Sequence, residues 1–211
     1  MESPSNLVQL FEDEETVRKI QSRLPHLFQL AELESSRAGK VGMEVGSVRE
    51  RIIVALLIYK FGEENVETEI PITEPEVDAR LFGEPLSIKT ITGTFSGVKV
   101  IWTVDAEKAK EFREKYYPIC DILLVQIKWN DIGGLYYIPV QAQRKLFDKI
   151  GRENYIKLPK AGTNPRGVEF GKNVLARLTA DGQAKNIEIN WQKSDIGFNA
   201  YKRWLDLWKE D

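Results

Sequence analysis

The sequence predicts an α/β fold: a mixed central β-sheet flanked by helices, with an N-terminal helical segment. Three observations carry this reading. Apolar runs of strand length, such as "CDILLVQIKW" and "GLYYIPV", alternate with segments of helical spacing. Between them, "EVDARLFGEPLSIKT" reads as two short strands joined by a tight glycine turn, so part of the sheet is antiparallel. No repeat or low-complexity linker divides the 211 residues, and 42% hydrophobic content suffices for a sizeable core.

In chain order, helical spacing marks residues 5 to 35, as two helices broken near Pro25. The glycine-rich loop "SRAGKVGMEVGS" follows, then a helix from Ser47 to about Phe61, ended by Gly62. "VETEIPI" (66–72) reads as a strand, and the hairpin supplies the next two. "GVKVIWTV" (97–104) is a further strand, and "DAEKAKEFREKYY" is a charged helix capped by Asp105. The two apolar runs are central strands, with "QAQRKLFDKI" as a helix behind them. The loop "KAGTNPRGVEFG", a helix near 172–180, a strand near 185–192 and the helix "NAYKRWLDLWKE" complete the chain. This organisation predicts one domain over 1–211, with an N-terminal helical segment at 1–38, a catalytic core at 42–140 and basic DNA-binding and C-terminal elements at 141–211.

Composition narrows the chemistry. The single cysteine, Cys120, precludes an internal disulfide and reads as a buried, inert thiol within "PICDILLV". The single histidine, His26, has no metal-ligand spacing around it, which argues against histidine catalysis. The longest apolar run, "IIVALLIY", is too short to span a bilayer, and the acidic N-terminus does not resemble a signal peptide. These features predict a cytoplasmic protein with no membrane partner. The formal net charge of −2 hides an asymmetry: residues 141–177 hold nine bases against three acids. Such a segment suits a polyanion, although a solvated basic face has the same composition.

The hairpin poses the sharpest question. A Gly83-Glu84 turn would set Asp78 opposite Lys89 and Arg80 opposite Ser87, with Asp78 and Lys89 on one face. A cross-strand ion pair, contributing about 0.2–1 kcal/mol, is the plain account. Likewise, Ser47 and Glu50 fit an S-x-x-E capping box at the start of the preceding helix.

The combination of the helical "GSVRER" with an Asp…"SIK" hairpin resembles the PD-(D/E)XK nuclease superfamily; archaeal Holliday-junction resolvases open their first core helix similarly. The resemblance covers roughly residues 42 to 92. It implies a restriction-endonuclease-like core in which Glu50, Asp78 and Lys89 converge on Mg²⁺. Asp78 would be the principal metal ligand, Glu50 the second, and Lys89 would orient the attacking water or stabilise transition-state charge. The family usually places an acid two residues before the lysine, whereas Ser87 stands here. A serine cannot supply the anionic oxygen a hard cation prefers, so Ser87 would at most hold a water. The chain is also similar to the small ThaI-like group of restriction enzymes that cut CGCG. That likeness implies a type II enzyme, a short palindromic GC-containing duplex site and a two-fold homodimer.

Sequence readout requires donors that reach base edges. The turn "GTNPRGVEFGK" offers Thr163, Asn164, Arg166 and Lys172, with Arg166 the first choice for a guanine contact. Met43, on the loop before Glu50, either packs on the core or wedges between base steps; Arg37 and Lys40 beside it are candidate phosphate contacts. Trp204, Leu205 and Trp208 lie at helical spacing and suit packing or a dimer contact. No G-x-x-x-x-G-K-[ST] motif is present, so no nucleotide cofactor is expected. Two alternatives stay open: a structure-selective nuclease resembling Holliday-junction resolvases, and a catalytically inactive nuclease fold that binds DNA.

Overall fold

The computed structural model describes residues 5–37, 40–42, 44–102, 105–160 and 167–210. After a short α1 (Gln9–Glu12), α2 runs unbroken over Glu14–Glu34, capped by Asp13. Pro25 lies inside α2, and the expected break does not occur. The proline is buried with Leu24 and Phe28 on the helix face that packs on the core, and that packing outweighs the lost backbone bond. A two-residue hairpin, β1 (Ser36–Arg37) and β2 (Lys40–Val41), leads to α3 (Val45–Phe61), which Gly62 ends at φ 90°.

Next come β3 (Val66–Glu67), β4 (Ala79–Leu81), β5 (Glu84–Thr92) and β6 (Lys99–Ile101). The strand expected over 66–72 stops at Glu67. Pro71 cannot donate to a ladder and Ile72 is fully exposed, so nothing holds those residues against the sheet. α4 (Ala106–Lys115) begins as predicted, with Asp105 accepting from the Lys108 N–H at 2.8 Å. β7 (Asp121–Ile127) and β8 (Ile132–Ile138) precede α5 (Val140–Ile150), α6 (Arg152–Tyr155), β9 (Ile156–Lys157) and β10 (Val168–Phe170). The chain closes with α7 (Val174–Thr179), β11 (Lys185–Asn190) and α8 (Lys202–Leu207).

The main sheet has six strands in the order β11-β8-β7-β5-β4-β3, with only the central β5–β7 pair parallel. Mixed pairing and flanking helices are the architecture the sequence predicts. Strand β7 is buried on both faces, which explains its uninterrupted "ILLV". Leu123 and Val125 face the core under α2 and α3, whereas Ile122 and Leu124 face the core under α5 and α7. The predicted strand at 97–104 joins a separate three-stranded sheet, β6-β10-β9, on the latter side. β5 divides its side chains in the same way: Leu86 and Ile88 enter the first core, while Ser87, Lys89 and Ile91 point the other way. No helix among the described residues is long and apolar enough to cross a membrane.

Candidate active site

The β4–β5 hairpin turns at Phe82-Gly83, one residue earlier than expected, with Leu81 opposite Glu84 and Ala79 opposite Leu86. Both turn residues have positive φ, 50° and 80°, which matches the twist of a two-residue hairpin. Phe82 adopts this rarely occupied conformation with its ring edge-on to Phe61, 5.9 Å between centroids. The displaced turn moves the pairing by two residues, and Asp78, just before the last pair, donates its N–H to the Leu86 carbonyl at 2.9 Å, which sets it beside Ser87 and not opposite Lys89. A slip of two preserves faces where a slip of one would invert them. Asp78, Ser87 and Lys89 therefore still share a face.

That face carries a compact polar cluster. Asp78 Oδ2 accepts from the Ile88 N–H at 2.6 Å, the Ser87 hydroxyl at 3.2 Å and Lys89 Nζ at 3.2 Å. The ion pair is largely shielded, with 14% and 17% of the Lys89 and Asp78 side chains exposed. Ser87 is buried and spends its hydroxyl on Asp78. Glu50, on α3, is close enough for the charges of Asp78 and Lys89 to act on it. That helix begins at Val45 with no side-chain cap, so the expected Ser47–Glu50 capping box is absent and Glu50 lies in the second turn. Burial raises the Glu50 pKa, the Asp78 charge raises it further, and Lys89 and Arg51 pull it back. A half-buried carboxylate whose ionisation the Asp78 charge opposes is one that a cation held between the two would stabilise.

A third carboxylate, Glu76, went unremarked in the sequence. It sits in the turn before Asp78, and burial pushes it up to about 7 against an opposing pull from Lys89. Its field reaches Cys120 and the stacked Tyr116 and Tyr155 beneath. Cys120 is buried with its thiol pushed up to about 12, the inert state predicted for it. Because folding raises the Glu76 pKa, the native state holds a proton that the unfolded chain releases between pH 4.5 and about 7. Stability therefore falls as pH rises through that window, by on the order of 2–3 kcal/mol from this group. In EDTA, Glu76→Gln should remove most of this slope and exceed wild type in stability above pH 7. Parallel urea-midpoint curves against pH for the two proteins would refute it.

Behind Glu50 lies a buried ionic hub. Arg49 Nη2 meets Glu32 Oε1 at 2.5 Å, with side chains 7% and 10% exposed, and Arg49 Nη1 donates to Thr92 Oγ1 at 3.3 Å. Trp129 Nε1 donates to Glu32 at 2.8 Å, and Lys193 approaches its second oxygen at 3.3 Å. The hub ties α2, the first turns of α3 and the end of β5 together next to the Asp78 cluster.

A family model described as restriction endonuclease ThaI matches residues 10–210. The chain belongs to the ThaI restriction endonuclease family. A solved structure, "Restriction endonuclease in complex with substrate DNA", is 59% identical, with 98% of this chain and 100% of that chain covered and a TM-score of 0.92. No curated protein matches the chain.

The residues expected to meet DNA fare unevenly in this ThaI-family chain. Lys40 is exposed on the β1–β2 hairpin that leads into α3; Arg37 is its strand partner, and the Arg37 side chain is outside what is described. Met43, Thr163, Asn164 and Arg166 lie outside the described residues. Lys172 is exposed on an open cleft of about 780 Å³ that also holds Lys149 and Arg177, none of the three with an ion-pair partner among the described residues. Other bases of the 141–177 segment serve the fold: Arg144 donates to the Pro118 carbonyl at 2.9 Å, and Lys157 pairs with Glu169 at 2.9 Å. The basic composition is thus part structure and part free surface.

Proposed function

We propose that this chain is a Mg²⁺-dependent type II restriction endonuclease that hydrolyses phosphodiester bonds at a short, palindromic, GC-containing duplex site. The carrying observation is the cluster of Asp78, Ser87 and Lys89 on one sheet face with Glu50 electrostatically coupled to it. The donor set fits the ion: hard carboxylate oxygens, with Asp78 Oδ1 outside the hydrogen bonds that hold Oδ2. No group of three or more His, Cys, Asp or Glu among the described residues is arranged to hold a metal. Two carboxylates with substrate phosphate completing the shell are what Mg²⁺ ordinarily uses.

Asp78 and Glu50 would hold Mg²⁺, which when bound neutralises phosphate charge and acidifies water. Lys89 orients the attacking water and stabilises charge that grows on the phosphate oxygens. Ser87 and the Ile88 N–H fix the Asp78 carboxylate, so Ser87 serves as an orienting group where the family usually has an acid. Arg166, Thr163 and Asn164, in the sequence between β9 and β10, and Lys172, after β10, would supply donors for base edges, Arg166 first among them. Arg37, Lys40 and Met43 approach the duplex from the connection before α3, and Lys149 and Arg177 add phosphate contacts. A palindromic site matches a two-fold homodimer, because protein symmetry mirrors site symmetry.

A large mixed-sequence DNA treated with the purified protein should yield discrete fragments with Mg²⁺ and none with EDTA. End sequencing then gives the site. Intact linear DNA alongside cleaved branched DNA would instead favour a structure-selective nuclease, and no cleavage of either an inactive DNA binder.

A further inference from the structure

The end of the chain carries more uncovered apolar surface than a free-standing helix tolerates. α8 and its flanks expose Tyr201 (77%), Trp204 (58%), Leu205 (52%), Leu207 (46%) and Trp208 (88%). α8 has no buried residue, so its own chain gives it no core to join. Trp191, fully buried just after β11, and a two-way hydrogen bond between Gln29 and Ser194 (2.7 and 2.9 Å) anchor the arm that leads to it. Beyond Ser194 the chain runs without regular structure to α8 and forms, with Leu30 of α2, a groove of about 530 Å³ lined by Ile196, Phe198 and Leu207 together with the charged Lys202, Arg203, Asp206 and Glu210.

We infer that this arm is the interface between two copies of the chain, α8 of each copy seating its tryptophans on the arm and groove of the other. Three features select a second copy as the occupant. At about 200 Å² per large side chain, the five exposed residues offer on the order of 600 Å² per copy, or about 1,200 Å² for the pair, above the roughly 1,000 Å² a specific interface needs. The helix mixes charges of both signs, with Lys202 paired to Asp206 at 2.6 Å and Arg203 over the Trp204 ring, so it suits neither a polyanion nor an anionic lipid surface. An exposed apolar ridge beside a groove that mixes apolar side chains with both signs of charge (Lys202, Arg203, Asp206, Glu210) puts apolar and charge-matched partners on one element, as a self-complementary two-fold contact requires. The inference rests on the homodimer reading above and adds which surface makes it.

Sedimentation velocity of the full chain against Trp204→Asp/Trp208→Asp is the deciding comparison. Wild type should sediment as a dimer at micromolar concentration, and the double variant should show a dimer dissociation constant raised at least about 100-fold, as expected for two aromatic anchors. A dimeric wild type with an equally dimeric variant overturns this interface and leaves the homodimer intact. A wild type that is monomeric with and without a site-bearing duplex overturns both. If the variant fails to fold, amide exchange over residues 201–208 of wild type decides. Protection that rises with protein concentration supports the interface, and concentration-independent exchange overturns it.

Discussion

Asp78→Asn should lower Mg²⁺-dependent cleavage by at least about 10³-fold, equivalent to losing about 4 kcal/mol of transition-state stabilisation, with the fold retained. The fold survives because Asn keeps a carbonyl oxygen for the Ile88 N–H and the Ser87 hydroxyl, which Asp78 now satisfies at 2.6 and 3.2 Å. What disappears is the negative charge, and two consequences separate this site from a plain ion pair. The first is that the Glu50 pKa, raised in part by Asp78, moves back down in the variant. The second is that Lys89→Ala, which removes the other half of the pair, also abolishes cleavage but moves the Glu50 and Glu76 pKa values upward, because Lys89 opposes both shifts. A purely structural salt bridge predicts stability losses in both variants, as for a shielded pair, and no effect on cleavage beyond that of folding. Steady-state cleavage of a plasmid carrying the site, with thermal melts of each variant, distinguishes them; near-wild-type rates for Asp78→Asn would remove Asp78 from the site.

The sheet face of this cluster was legible in the sequence because it depends on period two alone. The turn was not. "FGEP" is compatible with Gly83-Glu84 or Phe82-Gly83, and the choice turns on whether Phe82 can be held at positive φ, which contact with Phe61 from α3 accompanies. Since the two turns differ by two residues in pairing, the error cost the facing partner and spared the shared face. Pro25 misled for a similar reason: propensity penalises it, and the buried face that overrides the penalty comes from residues distant in sequence. Glu76 reads as one more acid in "TEPEVD" until Tyr116 and Tyr155 close beneath it. The helix at 106–115, capped by Asp105, needed no tertiary help, and there the sequence reading and the structure agree.

Glu32 and Arg49 were invisible for the same reason, and they carry the second large expected effect. Arg49→Met leaves Glu32 buried with Trp129 and a half-exposed Lys193 as partners, and Glu32→Leu leaves a buried guanidinium with Thr92 and the face of Phe28 but no anion. Each should destabilise by about 3–5 kcal/mol, the usual cost of stranding one member of a buried pair. Burial already pushes the Arg49 pKa down, with Glu32 the partner that holds it up. The double variant Glu32→Leu/Arg49→Met removes both charges and should recover most of the stability. Activity is where the hub's role shows. Arg49 adjoins Glu50 in α3 and reaches Thr92 on β5, the strand that carries Ser87 and Lys89. If these bonds set the position of Glu50 against Asp78, the double variant stays slow although it is stable, with kcat reduced about 10-fold or more and KM for DNA little changed. Recovery of stability and kcat together would confine the hub to folding. Persistence of the kcat defect alone, with weaker Mn²⁺ binding by calorimetry, would show that the buried charge pair is retained because it aims a carboxylate.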